Sequence, residues 1–315
     1  MSTLAHKRVT ESAAVDVARL GGEPLWQVGF EALRKQLANV REQIAPVRAG
    51  DDAEAVHQMR VAIRRLRTMA SLLGDTPAFR QGRVARLRRR LRPLARWLGD
   101  VRDLDILLAR LDEYESALGD AAPSPNTLRD ELLRRRARAL QRVRKTLRQR
   151  KTRQLLRHPR RTVRRLGTRA DEGRRTRVRQ VAGSALWSRY EAILGFANVV
   201  AAGGPTGQLH ALRIACKQLR YALELFSEED DARAQELEAP LKEAQDYLGE
   251  LQDSVFAVAL LTHLRQRLPH DPQFDGFLAA QEARRDEVRQ GVAPYWKRLS
   301  GQPFRQELAA LIGEM

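Results

Sequence analysis

The sequence predicts an all-α fold, and three observations predict it. Nearly every stretch between turn signals is built from Ala, Leu, Arg, Glu and Gln, which favour helix, and alternating Val/Ile/Thr runs of the strand type are few. Apolar residues recur three and four positions apart, the spacing of one helical face. The interruptions are short, rich in Gly and Pro, and leave segments of bundle length between them. With 315 residues, the chain has room for roughly two ordinary domains or one large duplicated one.

Taken in order, the opening MSTLAHKRVTESAAVD holds a few positive charges but no apolar stretch with a small-residue cleavage site. It is expected to be an N-terminal extension, residues 1–23, rather than a secretory signal, and the expected address is the cytoplasm. The break at Gly21-Gly22-Glu23-Pro24 opens the folded region. Ala49-Gly50-Asp51-Asp52 precedes AEAVHQMR, where Asp51 or Asp52 is expected to cap a helix, and Gly74 lies where that helix should end. Gly119 to Pro125 and His158-Pro159 end further segments. From about Pro159 to Gly183 the chain is basic and poorly patterned; it is expected to be a linker, with Arg160, Arg161, Arg164 and Arg165 outside any site. Gly203-Gly204-Pro205, Pro269 to Pro272 and Gly301 to Pro303 divide the remainder.

Self-similarity organises these pieces. VHQMRVAIRRLRTMASLL from Val56 lies without a gap over LHALRIACKQLRYALELF from Leu209. His57 pairs with His210, Arg60 with Arg213, Arg64 with Lys217 and Arg67 with Arg220. LRPLARWLGDVRD from Leu91 lies over LKEAQDYLGELQD from Leu241, so that Gly99 meets Gly249 and Asp103 meets Asp253. Two elements recurring in the same order imply a duplicated unit of several helices.

Charge gives the chemistry. Fifty-seven Lys and Arg against 39 Asp and Glu leave a formal +18 and a pI of about 11.0. Such an excess repels itself and suits an anionic partner; most of it is Arg, whose planar fork grips phosphate oxygens in pairs. On a helix, His57, Arg60, Arg64 and Arg67 fall in one narrow band, and the second copy repeats that band. Met59, Ile63, Leu66, Ala70 and Leu73 point away from it, as do Leu212, Cys216, Leu219, Leu223 and Phe226. A single basic face is ordinarily just solvated, but a solvated face has no physical reason to recur at matching positions. The stripe is also read as lacking a carboxylate four residues from its cations, which leaves the counter-charge to an external anion.

Other chemistries fit less well. No apolar run approaches the ~18 residues needed to span a bilayer. Cys216 is the only cysteine, which excludes a disulfide framework and a multi-thiolate zinc site, and its apolar neighbours make it a core residue. Around His57 and His210 the stripe offers cations where a metal would need donors, and no nucleophile accompanies them. They are left to bond phosphate directly or to make a structural hydrogen bond. Asp103 and Asp105 are ~200° apart on a helix and cannot share one cation. Asp103 and Asp253 are instead expected to orient stripe cations or tie helices together, and Gly99 and Gly249 to permit close helix contact or a local break. Aromatic residues, at 5%, do not interleave with the arginines as a base-stacking platform would require.

At VHQMRVAIRRLR with LGDVRDLD, and again at LHALRIACKQLRYALE with LGELQD, the sequence resembles the CHAD family, over most of the chain from about Pro24 onward. The resemblance implies two pseudo-symmetric four-helix bundles with a basic groove or pore between them, binding of inorganic polyphosphate, and no catalysis. Repeat 1 would cover about 24–158, the linker about 159–183 and repeat 2 about 184–315. The implied ligand contacts are His57, Arg60, Arg64, Arg67, His210, Arg213, Lys217 and Arg220, with Arg89, Arg90 and Lys242 as additions. Family members are often fused to a triphosphate-tunnel domain marked by ExExK; here Glu236-Leu237-Glu238 is followed by Ala239-Pro240, so the motif is missing. No cofactor or metal is expected. Association with polyphosphate or storage-polymer granules would use the same surface. The rival readings are sequence-independent binding of nucleic acid, which counterion release would also reward, and hydrolysis of phosphoanhydrides.

Overall fold

The computed structural model describes residues 20–49, 53–118, 126–168, 171–228, 230–268 and 272–315; among these the fold is all-α, with two isolated β-bridges and no strand. The expected cap at Asp51 or Asp52, most of the 1–23 extension and the Gly119 to Pro125 break lie outside the described residues. In chain order the helices are α1 (Leu25–Glu42), α2 (Ile44–Ala49), α3 (Ala53–Gly74), α4 (Gln81–Leu118), α5 (Asn126–Arg148), α6 (Arg150–Arg157), α7 (Pro159–Arg164), α8 (Asp171–Arg175), α9 (Ala182–Leu194), α10 (Ala197–Ala201), α11 (Thr206–Phe226), α12 (Ala232–Arg265), α13 (Pro272–Gln290), α14 (Ala293–Ser300) and α15 (Gln302–Glu314). None is long and apolar enough to cross a membrane.

The two longest helices, α4 with 38 residues and α12 with 34, form the frame, each running on the order of 50 Å at the usual helical rise. Each holds one interior proline, Pro93 and Pro240, whose missing N–H forfeits a helical hydrogen bond. Packing on their flanks carries both helices through.

α3 packs on α1 and α4, and α4 on α5; α11 packs on α9 and α12, and α12 on α13. Where the two sets meet, α3 crosses α11 and α4 contacts α12. The apolar faces named from spacing are the ones buried: Met59, Ile63, Leu66, Ala70 and Leu73 on α3, and Leu212, Cys216, Leu219, Leu223 and Phe226 on α11. Each large apolar side chain removed from water contributes about 1.5–3 kcal/mol, so these faces fix both helices without help from their polar sides. Gly29 lets α1 lie close on α3, since a Cβ there would meet Leu73 and Phe79 at 2.8 Å. Cys216 sits in this core with its thiol pushed up to about 12 by burial, an inert packing residue.

Most of the interior forms one cluster. A second, distal cluster gathers Leu104, Leu107 and Leu111 of α4 with Leu128 and Leu132 of α5, Ala257, Leu261 and Leu264 of α12, and Phe274 and Phe277 of α13. Near the junction of the two clusters the buried guanidinium of Arg110 donates to Ser254 Oγ at 3.0 Å and to Gln281 Oε1 at 3.1 Å.

The stretch expected as a linker is docked. α7 and α8 lie on α1, with Pro159, Val163, Leu166 and Val178 buried. The N–H of Arg80 donates to Leu166 O at 2.8 Å and that of Thr168 to Ala78 O at 3.0 Å. The N–H of Leu25 donates to Thr176 O at 2.9 Å and that of Val178 to Glu23 O at 3.1 Å. Sparse apolar residues anchor this segment because main-chain bonds to distant residues supply the rest, and such bonds leave no periodic trace in the sequence.

Candidate functional site

Because the apolar faces of α3 and α11 are committed to the interior, their stripes are turned toward one another where the two helices cross. A cavity of about 630 Å³ opens there, lined by Arg60, Arg64 and Arg67 of α3 and by Arg213 and Lys217 of α11. Thr68, Ser71 and Gln218 complete the helix walls, Arg88, Ala95 and Gly99 of α4 close one side, and Arg189 of α9 and Asp75 stand at the edge. Asp75 is the only carboxylate in the lining. Arg189, whose guanidinium donates to Ala185 O at 2.7 Å, is the cation that feels it.

The electrostatics are those of cations held together without enough counter-charge. Burial pulls the Lys217 ammonium down to about 8, and Arg213, Arg64, Arg67 and Arg60 add to the fall. Burial also lowers Arg60, Arg67 and Arg213, which nevertheless stay charged. Two bonds hold the guanidiniums in place: Arg64 Nε donates to the hydroxyl of Tyr221 at 3.0 Å, and Arg213 Nε to Gln245 O at 3.4 Å. Asp103 and Asp253 face Arg60 and Arg213, as expected of residues that orient the stripe. Burial pushes the Asp103 carboxyl up to about 6, with Arg60 opposing and Asp253 adding; burial likewise raises Asp253 against the pull of Arg110, Arg213 and Arg60.

Neither glycine breaks its helix. A Cβ on Gly249 would stand 3.3 Å from Arg213 Nη2, so this glycine makes room for a guanidinium, whereas a Cβ on Gly99 would meet nothing within 4 Å.

The stripe is not brought in whole. His57 and His210 lie outside the cavity lining. Burial lowers both imidazoles, with Arg102 next in effect on His57 and Arg213 next on His210, so both are neutral near pH 7. A hydrogen bond joins His210 to Gln252, which favours the structural role for that residue. Arg220 also stays out of the lining: its guanidinium lies 3.8 Å from Glu224, which Arg65 approaches at 3.5 Å from α3. The expectation that no carboxylate stands four residues from a stripe cation is therefore wrong at this end. Arg89, Arg90 and Lys242 are exposed and off the cavity. Their places are taken by Arg88 in the lining and by Arg92, which with Arg88 bears on Arg67. Positions 88, 92, 95 and 99 share one face of α4, so counting back from Gly99 by helical turns would have found them.

Chemically, the cavity can hold several phosphate oxygens at once, through forked guanidinium contacts and one ammonium. Among the described residues no group of three His, Cys, Asp or Glu side chains is placed to hold a metal ion.

A family model described as the CHAD domain matches residues 31–262. No curated protein matches the chain in sequence. Among solved structures, PptA from Streptomyces chartreusis superposes with a TM-score of 0.69 at 16% identity, covering 88% of this chain and 99% of PptA. The CHAD domain from the plant Ricinus communis superposes with a TM-score of 0.60 at 22% identity, covering 92% of each chain. At such identities these likenesses speak to the fold.

Proposed function

Starting from the fact that this chain belongs to the CHAD domain family, we propose that it binds inorganic polyphosphate, without transforming it, in the cavity between α3 and α11. The observation that carries this reading is the convergence of Arg60, Arg64, Arg213 and Lys217 on one space with a single carboxylate at its edge. A polymer of phosphates without bases supplies the missing counter-charge and asks for no base-reading groups. In the same reading the chain is a duplicated unit, with repeats of about 24–158 and 184–315. The matching order of contacts, α1–α3–α4–α5 beside α9–α11–α12–α13, supports this. Such a surface would bring the protein to polyphosphate-containing granules.

The test is titration calorimetry with long-chain polyphosphate over a range of salt. Several phosphates neutralised together give a steep fall of log K with log salt. Replacing Arg60, Arg64, Arg213 and Lys217 with Ala should cut binding by orders of magnitude with the helical signal intact, since each charge-assisted contact contributes about 1.5–3 kcal/mol. The control removes equal charge from exposed positions outside the cavity, Arg148, Arg150, Lys151 and Arg267. Equal losses in both variants would mean a diffuse basic field and no site. Displacement of polyphosphate by duplex DNA at physiological salt would move the reading to nucleic acid, and release of free phosphate would make the protein an enzyme.

A further inference from the structure

The docked segment 159–168 builds something of its own. Together with α1 and the turn between α3 and α4 it encloses a second cavity, of about 740 Å³, that shares no residue with the first. Arg160, Arg161, Arg164 and Arg165 line it, the four arginines that the sequence placed in an idle linker. Arg80, Arg83 and Arg174 join them from other segments. The walls are tied together: besides the main-chain bonds of Arg80 and Thr168, Arg83 Nη1 donates to Arg165 O at 2.7 Å. No carboxylate lines the space, and among the described residues none of the seven guanidiniums is paired with one. A cavity built this way takes up negative charge.

Its floor is aromatic. Trp26 and Phe30, both half-buried, meet edge to face at 5.8 Å, with Phe79 buried beside them. Of the other three indoles, all half-buried, two carry arginine on their faces: Arg96 and Arg142 stand over Trp97 at 5.0 and 4.5 Å, and Arg305 over Trp187 at 5.6 Å. Among the described residues no guanidinium stands over Trp26, although seven line the same cavity. The arginines thus share the cavity with the indole without stacking on it, which leaves the ring available to another flat group. Phosphate-gripping cations next to aromatic side chains on which none of them stacks match a ligand with both a phosphate chain and an aromatic base, and the volume is that of a small-molecule site.

We propose that this cavity is a second binding site, separate from the α3–α11 cavity, for a nucleoside polyphosphate, with the base on Trp26 and Phe30 and the phosphates among the arginines of α7 and the α3–α4 turn. The proposal does not depend on what the central cavity binds.

The experiment compares ATP with inorganic tripolyphosphate, without magnesium, in the full chain carrying Ala at Arg60, Arg64, Arg213 and Lys217. Tripolyphosphate has at least the negative charge of ATP and no ring, so charge alone predicts that it binds as tightly or more so. The site predicts ATP about tenfold tighter, the size of one base-on-aromatic contact. Trp26→Leu should bring ATP down to the level of tripolyphosphate and leave tripolyphosphate unchanged; Arg161→Ala with Arg164→Ala should weaken both. Because Trp26 also packs on the core edge, Trp26→Phe keeps a ring in place and should retain most of the ATP preference. ATP no tighter than tripolyphosphate in the unaltered cavity overturns the proposal, and that comparison needs no change at Trp26. So does binding of a short single-stranded oligonucleotide where ATP does not bind, which would make this a nucleic-acid surface.

Discussion

On α3, Arg67 lines the open cavity with Arg88 beyond it and Arg92 nearby. Its counterpart on α11, Arg220, lies against Glu224 instead, over the ring of Tyr221 at 5.0 Å. The two helices carry nearly the same stripe, so the difference comes from what surrounds them. Thr68 and Ser71 are matched on α11 by Tyr221 and Glu224, which are large or acidic. Extending the register of the second repeated element back along α12 sets Glu238 where α4 has Arg88. Burial and then Glu224 push the Glu238 carboxyl up to about 7, against the pull of Arg220 and Arg65. One end of the stripe pair is thus open and cationic, while the other is filled and locally neutralised. A repeated motif fixes a helix and its buried face; whether its cations remain available is decided by residues outside the motif.

The largest expected effect breaks or sustains this contrast directly. Arg67→Glu should weaken polyphosphate binding by about tenfold to a hundredfold, the size of one or two charge-assisted contacts, whereas Arg220→Gln should change it less than about threefold. Calorimetric affinities that fall equally for both would show that the two ends act alike. Glu238→Arg, which places at this position the residue type of Arg88 on α4, should tighten binding a few-fold by adding a cation to the neutralised end.

A smaller effect is the pH dependence. Asp103 at about 6 and Glu238 at about 7 become anionic as pH rises, and Lys217 at about 8 loses its charge. Each change removes positive potential from the cavity or its surroundings, so affinity should fall steadily from about pH 5 to about pH 9. A bound polyanion raises all three values, so binding takes up protons throughout that window. Calorimetry in buffers of different ionisation enthalpy measures the uptake; a heat independent of buffer would contradict these assignments.

The smallest effect separates the two glycines. Gly99→Ala places a methyl in open space and should stabilise α4 by up to about 1 kcal/mol through helix propensity alone. Gly249→Ala must displace Arg213 by a few tenths of an ångström, so its thermal gain should be smaller and polyphosphate affinity should drop several-fold. Melting curves and titrations of the two variants side by side would show whether Gly249 is there for the guanidinium.

The all-α class and the buried faces of both striped helices were legible in the sequence because helical spacing is local information. So was the likeness between Arg60 and Arg213, and between Arg64 and Lys217, which the structure brings to one cavity. Glu224, at the i+4 position of Arg220, is visible in the sequence and contradicts the expectation that the stripe lacks a nearby carboxylate. Counting helical turns back from Gly99 selects Arg88 and Arg92, where the resemblance implied Arg89 and Arg90. Nothing local could have shown that 159–168 docks on the α3–α4 turn, because the bonds that hold it join Arg80 to Leu166 and Thr168 to Ala78, more than eighty residues apart in sequence. That segment is consequently unsuitable as an inert control for charge.

The distal cluster has a consequence for motion. Its ten buried side chains come from α4 and α5 on one side and α12 and α13 on the other, beginning on α4 about one and a half turns past Gly99. The two long helices are therefore clasped at their tip like the arms of tweezers, and the spacing of the cationic walls is set partly by a contact that touches no ligand. Opening that clasp would cost the burial of Leu107, Leu111, Leu261 and Phe277. It would also unmake the bonds of Arg110 to Ser254 and Gln281, so the arms part only in rare excursions. Amide exchange at Leu107 and Leu261 would time those excursions, and a long polymer threaded between the walls should slow them.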